Sequence, residues 1–328
     1  MSAPMLSTGI VRQTLRSGRQ NVDNFRLARN GNPLPAERGP DFVFPRRSTS
    51  SYCLELVRKH DYENFLCTLL LPNQARAGVF AIRAFNVELA RVRDTVSESQ
   101  IGLMRLQFWS DAIDKTFRDD PPQQPVALEL HRATKNHRIS KGWLKRLVEA
   151  RKHSLSNHPF STTRSMEEYA VNTVSPVNYL VLQCMDLGLA VGSEQLQLAS
   201  RLGRAQGVAS LLRATPRLAP RRICHLPSDL LHKHAVPAEQ VWRGRDQPGL
   251  REVTFEVASV AHRHLEHVKE HFAELPVAAR SVFLPGVAVA SYLRRLQRAD
   301  FDVFHPALQR RDGWLPARLW WARLRRTM

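Results

Sequence analysis

Apolar residues recur every three or four positions along most of the chain from residue 52 onward, the spacing of one buried face of an α-helix. Pro72 is expected at the first position of a long helix, where proline costs least. The apolar face of that helix consists of Val79, Ile82, Phe85, Leu89, Val92 and Val96. The same spacing predicts helices over residues 103–117, 143–148, 166–189, 196–212, 253–272 and 277–296. Because no stretch alternates as a strand would, the pattern predicts a single all-α domain of about eight to ten helices.

The N-terminal residues differ from this helical body. Residues 1–22 contain no acidic residue, and Arg12, Arg16 and Arg19 recur at helical spacing among apolar and hydroxyl side chains. That composition is typical of a mitochondrial transit peptide. Residues 30–51 are rich in Pro, Gly and Ser, which favours an unstructured spacer. Residues 1–50 are therefore predicted to be a transit peptide and a disordered linker, and residues 51–306 the helical domain. A disordered basic tail without a targeting role is the alternative.

The C-terminal segment, residues 307–328, combines tryptophan with arginine. Trp314, Trp320 and Trp321 alternate with leucines and with basic residues that include Arg325 and Arg326. Short basic amphipathic helices with Trp at their boundary bind membrane interfaces. The segment is therefore predicted to contact a membrane through these five residues. The alternative is a last helix that packs its Trp face on the core.

The formal net charge of +18 favours an anionic partner, such as a lipid surface or a phosphorylated ligand. No RRM, KH or zinc-finger signature accompanies the charge, so nucleic acid is not expected. The four cysteines form no C-x-x-C pair, which favours buried, reduced thiols. Histidines at 262, 264, 267 and 271 share one predicted helix, but the charged residues between them indicate a hydrated surface, and no metal site is expected.

Four segments of the sequence resemble, in the same order, motifs of squalene and phytoene synthases. Residues 80–90 (FAIRAFNVELA) are similar to the family pattern Y-A-F-C-R-x-x-D-D-x-x-D, and Trp109 with Asp111 and Ala112 to W-R-x-x-L. Residues 169–177 (YAVNTVSPV) are similar to Y-C-x-x-V-A-G-x-V-G. Residues 203–213 followed by 224–227 (CHLP) are similar to G-x-A-x-Q-x-x-N-x-x-R-D and R-x-Y-L-P. The resemblance covers residues 52–300 and implies the all-α isoprenoid-synthase fold as a single domain.

The resemblance also implies a chemistry that this chain lacks the residues to perform. Active members hold Mg²⁺ on a diphosphate with two Asp-rich motifs on facing helices, because Mg²⁺ prefers carboxylate oxygens. At the first motif this chain has Val87 and Glu88 at the Asp pair, and Arg91 at the second Asp. One carboxylate without its partner does not form a metal cluster.

The second motif lies in a stretch without any acidic residue between Glu194 and Asp229. Ser210 stands at the Asn position, Arg213 keeps the Arg, and Ala214 and Leu218 replace acidic residues. With both motifs degenerate, no catalytic residue and no Mg²⁺ cofactor are expected. Arginines can hold a diphosphate by bidentate contacts without metal. The candidates for such anion binding are Arg83, Arg91, Arg213 and Arg217.

Within the family, residues 83–90 and 173–177 and the Arg-rich start are most similar to assembly factors of mitochondrial respiratory complex I. That resemblance implies a non-catalytic protein on the matrix side of the inner membrane, which acts at an early, membrane-subunit stage of assembly. Its partners would be complex I subunits or assembly intermediates and the lipid surface. Two alternatives stay open: an active prenyl-diphosphate transferase, and a protein that binds an isoprenoid or lipid phosphate.

Overall fold

A computed structural model describes residues 48–96, 98–155, 159–187, 193–245 and 247–328. Within these ranges the chain forms sixteen α-helices and no β-strand, so the all-α prediction is confirmed. The described residues belong to one compact unit. The predicted transit peptide and most of the predicted linker lie outside the described residues. Among the described helices, none combines the length and the apolar character that a membrane span needs.

The first half of the described chain contains α1 (Thr49–His60), α2 (Tyr62–Leu69), α3 (Asn73–Thr95), α4 (Ser99–Thr116), α5 (Pro125–Asn136), α6 (Lys141–His153), α7 (Thr163–Thr173) and α8 (Ser175–Gln183). The second half contains α9 (Glu194–Leu218), α10 (Ser228–Lys233), α11 (Ala238–Trp242), α12 (Pro248–Glu270), α13 (Val277–Arg280), α14 (Pro285–Arg298), α15 (Pro306–Gln309) and α16 (Leu315–Arg325). Short 3₁₀ turns follow α9, α12 and α13.

Local sequence signals explain where several helices begin. The Ser48 hydroxyl accepts a hydrogen bond from the Ser51 amide, which caps α1 and starts the helical body two residues before the predicted boundary. Pro72 is the N-cap residue of α3, so the helix begins at Asn73, one residue later than predicted. Thr162 and Ser165 form a reciprocal capping box at the start of α7.

Two helices predicted as continuous are each broken at a proline, and the count exceeds ten partly for this reason. The prediction over 166–189 becomes α7 and α8, and the prediction over 277–296 becomes α13, a 3₁₀ turn and α14. Pro176 and Pro285 occupy the first turn of α8 and α14. Because proline cannot donate a hydrogen bond to the preceding turn, it starts a new helix in both places.

Helix α9 lies at the centre of the bundle and packs against α7, α8, α12 and α14. Gly203 and Gly207 allow α9 to approach its neighbours closely. A Cβ on Gly203 would lie 2.7 Å from Ser175 Cα, and one on Gly207 would lie 2.9 Å from Ala170 Cα. Helix α3 packs against α1, α5 and α8. Residues of α3 and α9 both line a cavity that opens to solvent.

The C-terminal segment packs onto the helical body and does not form a separate unit. Leu315, Leu319 and Ala322 of α16 join an apolar cluster contributed by α2 and by residues in and before α14. The tryptophans point away from this contact: 73% of Trp314, 57% of Trp320 and 48% of Trp321 are exposed. The alternative in which the Trp face packs on the core is therefore wrong, because the Leu and Ala side chains fill that contact.

Candidate functional site

A cavity of about 390 Å³ lies between α3 and α9 and is also lined by residues of α4, α6 and α7. Both sets of positions that correspond to the family's Asp-rich motifs contribute to its lining. The cavity thus occurs where two facing helices would hold metal ligands in an active family member. Its chemistry depends on which side chains these helices present.

The α9 wall presents three predicted positions together. Ser210, Ala214 and Leu218 all line the cavity, and Arg217 lines it between them. Their spacing of four residues keeps them on one helix face. This wall therefore offers a hydroxyl, a methyl, a branched apolar side chain and a guanidinium, and no carboxylate.

On the α3 wall, the family pattern counted from Arg83 places the acidic positions one residue earlier than predicted. Val87 and Arg91 line the cavity, but so do Asn86, Ala90 and Asp94, which follow one another at intervals of four. In the family pattern the acidic pair follows the arginine by three and four residues, and counting from Arg83 gives positions 86 and 87. The third acidic position then falls at 90. That counting was the signal that could have identified Asn86 and Ala90.

Glu88, which was placed at the Asp pair, does not line the described cavity. Its carboxylate accepts a hydrogen bond from the Tyr52 hydroxyl of α1 at 3.1 Å. Successive helical residues are rotated by about 100°, so Glu88 points to a different side of α3 from Asn86 and Ala90. The first motif therefore contributes no carboxylate to the cavity from positions 86, 87 or 90.

The structure divides the four candidate anion-binding arginines. Arg91 and Arg217 line the cavity, whereas Arg83 and Arg213 do not. Arg83 is only 3% exposed and lies in the interior near Asp61. Arg213 projects from another side of α9, where its guanidinium binds Glu63 at 2.6 Å and covers the Tyr292 ring. Both partners are distant in sequence, so helix periodicity could not indicate them.

Two carboxylates, Asp61 and Asp94, line the described part of this cavity. Asp94 accepts a hydrogen bond from Arg221 at 2.7 Å and lies 3.9 Å from Arg217. Burial raises the pKa of Asp61, and the nearby Arg83 guanidinium opposes that rise. Mg²⁺ needs several hard oxygen ligands in near-octahedral geometry. The residues of this lining therefore do not fit an Mg²⁺–diphosphate cluster.

One end of the cavity carries a polar cluster that the sequence did not suggest. Arg93 Nη1 lies 3.2 Å from His225 Nε2, and Arg151 Nη1 donates to the Tyr169 hydroxyl at 2.5 Å. Burial and the Arg93 charge lower the pKa of His225 to about 4. A neutral imidazole that accepts from Arg93 carries its proton on Nδ1, and this buried atom has no hydrogen-bond partner in the described residues. A second cavity of about 490 Å³ also contacts this cluster.

The histidines considered for a metal have different surroundings along α12 and just after it. His264 is buried and lies within hydrogen-bonding distance of Glu167 and Arg201. His267, Glu270 and His271 place one ligand atom each within 4.8 Å of one another near the surface. His271 Nδ1 already lies 2.9 Å from the His267 carbonyl oxygen, so its Nε2 is the ring atom left for a ligand.

Known proteins share both the sequence and the architecture of this chain. A sequence model of the squalene/phytoene synthase family matches residues 57–318. A Bos taurus protein named "NADH dehydrogenase (ubiquinone) complex I, assembly factor 6" is 44% identical over 83% of this chain and 81% of its own length. The Homo sapiens protein of that name is 42% identical over 91% of this chain and 87% of its own length. A dehydrosqualene synthase crystal structure superposes with a TM-score of 0.70 over 83% of this chain and 93% of its own, at 15% identity.

Proposed function

The chain belongs to the squalene/phytoene synthase family, and we propose that it acts as an assembly factor for mitochondrial respiratory complex I without prenyl-transfer activity. The observation that carries the assembly role is the 42% identity, over 91% of the chain, to a human protein named as an assembly factor of that complex. The proposed partners are complex I subunits or intermediates at an early, membrane-subunit stage. Loss of the protein is then expected to reduce the amount of assembled complex I.

The lining of the α3–α9 cavity supports the absence of prenyl transfer. Expelling diphosphate requires metal ions that stabilise the charge on the leaving oxygens, a contribution of several kcal/mol. Asn86, Val87 and Ala90 line the cavity on the α3 side, and Ser210 and Ala214 line it on the α9 side. None of these residues has a carboxylate that could bind such a metal ion. The family's fold is retained without the residues that hold its metals.

A second candidate function, binding of an isoprenoid or lipid phosphate in the same cavity, is favoured by its cationic lining. Arg91, Arg93, Arg151 and Arg217 all contribute to the wall. Guanidinium groups bind phosphate oxygens through paired hydrogen bonds and need no metal to do so. The unpartnered His225 Nδ1 offers one further donor at the polar end. This function is compatible with an assembly role in which the ligand is bound and not converted.

Farnesyl diphosphate turnover tests the proposed absence of catalysis. We expect the purified protein to release no pyrophosphate with or without Mg²⁺, because the cavity lacks facing carboxylates. An active phytoene synthase assayed in parallel provides the positive control. Binding of farnesyl diphosphate that does not respond to Mg²⁺ would support the second candidate function. Mg²⁺-dependent release of pyrophosphate would show that the protein is an active transferase.

We also propose that the protein lies on the matrix side of the inner membrane and contacts the lipid through α16. Trp314, Trp320 and Trp321 are exposed, while the opposite face of α16 packs on the protein. Arg325 and Arg326 are exposed as well, and the Arg325 guanidinium covers the Trp321 ring. Tryptophan prefers the interface between headgroups and acyl chains, and arginine is attracted to anionic lipid. These properties support surface binding by this helix.

A further inference from the structure

A basic cavity lies next to the start of α16 and shares His60 and Asp61 with the α3–α9 cavity. It has a volume of about 310 Å³ and is lined by the end of α1, the start of α2, α9, α14 and residues 308–312. Leu315, the first residue of α16, also lines it. The cavity therefore adjoins the helix that presents the exposed tryptophans.

Each carboxylate that lines this basic cavity lies close to an arginine. Glu63 binds Arg213 at 2.6 Å, and Asp312 binds Arg318 at 2.8 Å. The Asp312 carboxylate also accepts a hydrogen bond from the Ser291 hydroxyl. The third carboxylate, Asp61, lies near the buried Arg83 guanidinium.

The remaining cations leave an excess of positive charge. Lys59, Arg295, Arg310 and Arg311 line the cavity, and in the described residues no carboxylate pairs with any of them. Arg295 donates to the carbonyl oxygens of residues 307 and 310, and its charge also lies near the Asp312 carboxylate, whose pKa it helps to lower. Arg311 covers the Tyr62 ring at 4.5 Å.

Two buried donors at the wall of this cavity lack acceptors. Only 3% of Tyr292 is exposed, and its hydroxyl has no hydrogen-bond partner within the described ranges. The adjacent Arg213, whose guanidinium stacks on the Tyr292 ring, leaves its Nε without a partner as well. Buried donors are nearly always paired in proteins, so both groups need an acceptor that the described residues do not supply.

We propose that the basic cavity binds the phosphate of an anionic phospholipid headgroup while α16 rests on the membrane. Phosphate oxygens would accept from Tyr292 and from the arginines that lack carboxylate partners, chiefly Arg310 and Arg311. The exposed face of α16, a few residues further along the chain, would lie among the neighbouring lipids. This proposal rests on the membrane contact proposed for α16 and adds selection for anionic lipid to it.

Flotation with vesicles of phosphatidylcholine alone, or with added phosphatidylglycerol, tests the headgroup site. The full chain is expected to bind the anionic vesicles more tightly. Arg310→Gln with Arg311→Gln should weaken binding to anionic vesicles by about thirty-fold, since both charges act close to the surface. Tyr292→Phe, which removes the unpaired hydroxyl and no hydrogen bond, should weaken it by about three- to ten-fold.

Matched variants separate this site from general charge and from the membrane contact itself. Arg118→Gln with Arg138→Gln removes the same charge from exposed positions elsewhere and should change binding by less than about three-fold. Trp320→Ala with Trp321→Ala should lower binding to both vesicle types by about ten-fold or more. Thermal unfolding of each variant checks that the fold is kept.

The outcomes are distinguishable. If the Arg310/Arg311 variant binds like the Arg118/Arg138 control, while the Trp variant loses binding, the membrane contact stands and the headgroup site is wrong. If the wild-type chain binds neither vesicle, the membrane contact fails and the headgroup site fails with it. Titration of the protein with glycerol 3-phosphate tests whether the cavity binds a soluble phosphate compound. If glycerol 3-phosphate binds and vesicle binding does not depend on Arg310 and Arg311, the assignment of a lipid headgroup is wrong.

Discussion

Replacing Gly203 with alanine is expected to lower the free energy of unfolding by about 2–3 kcal/mol. The added methyl carbon would lie 2.3 Å from Ser175 Oγ, 2.7 Å from Ser175 Cα and 2.8 Å from Ser175 N. Two of these atoms are backbone, so rotation of a side chain cannot relieve the contact, and α8 and α9 must separate. The midpoint of thermal unfolding should fall by about 4–10 °C.

Gly142→Ala is the matched control, because Gly142 also lies in a helix but has room for a methyl group. A Cβ there would meet only Ser140 Oγ, at 3.6 Å. Alanine favours the helix over glycine by up to about 1 kcal/mol, so this variant should be as stable as the wild type or more stable. If Gly203→Ala unfolds at the wild-type temperature, the close packing of α9 on α8 is wrong.

The second large effect is a pH dependence of stability that His225 creates. The pKa of His225 is lowered to about 4 in the folded protein, whereas an exposed histidine titrates near 6.5. Between these values the unfolded chain binds the proton and the folded chain does not, so stability falls as the pH decreases through this range. From about pH 7 to about pH 5, His225 should remove about 2 kcal/mol from the free energy of unfolding.

Urea unfolding of His225→Gln at both pH values measures this contribution. Glutamine keeps an acceptor for Arg93 but does not titrate, so the variant should lose about 2 kcal/mol less than the wild type on acidification. His232→Gln, at an exposed position, should keep the wild-type dependence. An equal dependence in His225→Gln and the wild type would mean that His225 is not buried beside Arg93.

Periodicity was sufficient to predict the fold class, because the apolar spacing indicated helices throughout. The positions 210, 214 and 218 of the α9 wall came from the resemblance to the family's second motif, and their spacing of four residues places them on one helix face. The helix breaks at Pro176 and Pro285 could have been predicted from the sequence, because the residue before a proline disfavours the helical conformation. A one-residue error in register placed Glu88 in the cavity, although Asn86 and Ala90 face it.

The partners of buried charges could not be predicted, because they come from distant parts of the chain. Arg83 lies near Asp61 and Arg213 binds Glu63, so neither reaches the cavity that their sequence positions suggested. The cluster of Arg93, Arg151 and His225 likewise forms only when α3, α6 and the segment after α9 come together.

The proposed function combines an isoprenoid-synthase fold with a role in complex I assembly and with the absence of metal-dependent prenyl transfer. The cavity is lined by Val87 and Ala90 of α3 and by Ala214 and Leu218 of α9, and none of these side chains can bind a metal ion. The polar end around His225 and the basic cavity before α16 are features that binding, and not prenyl transfer, would use.

The amount of assembled complex I in cells that lack this protein tests the central claim most directly. In native gels stained for NADH dehydrogenase activity, deletion is expected to remove most of the complex I band and leave the other respiratory complexes unchanged. Re-expression of the full chain should restore the band. Normal complex I in the deleted cells would contradict the proposed function.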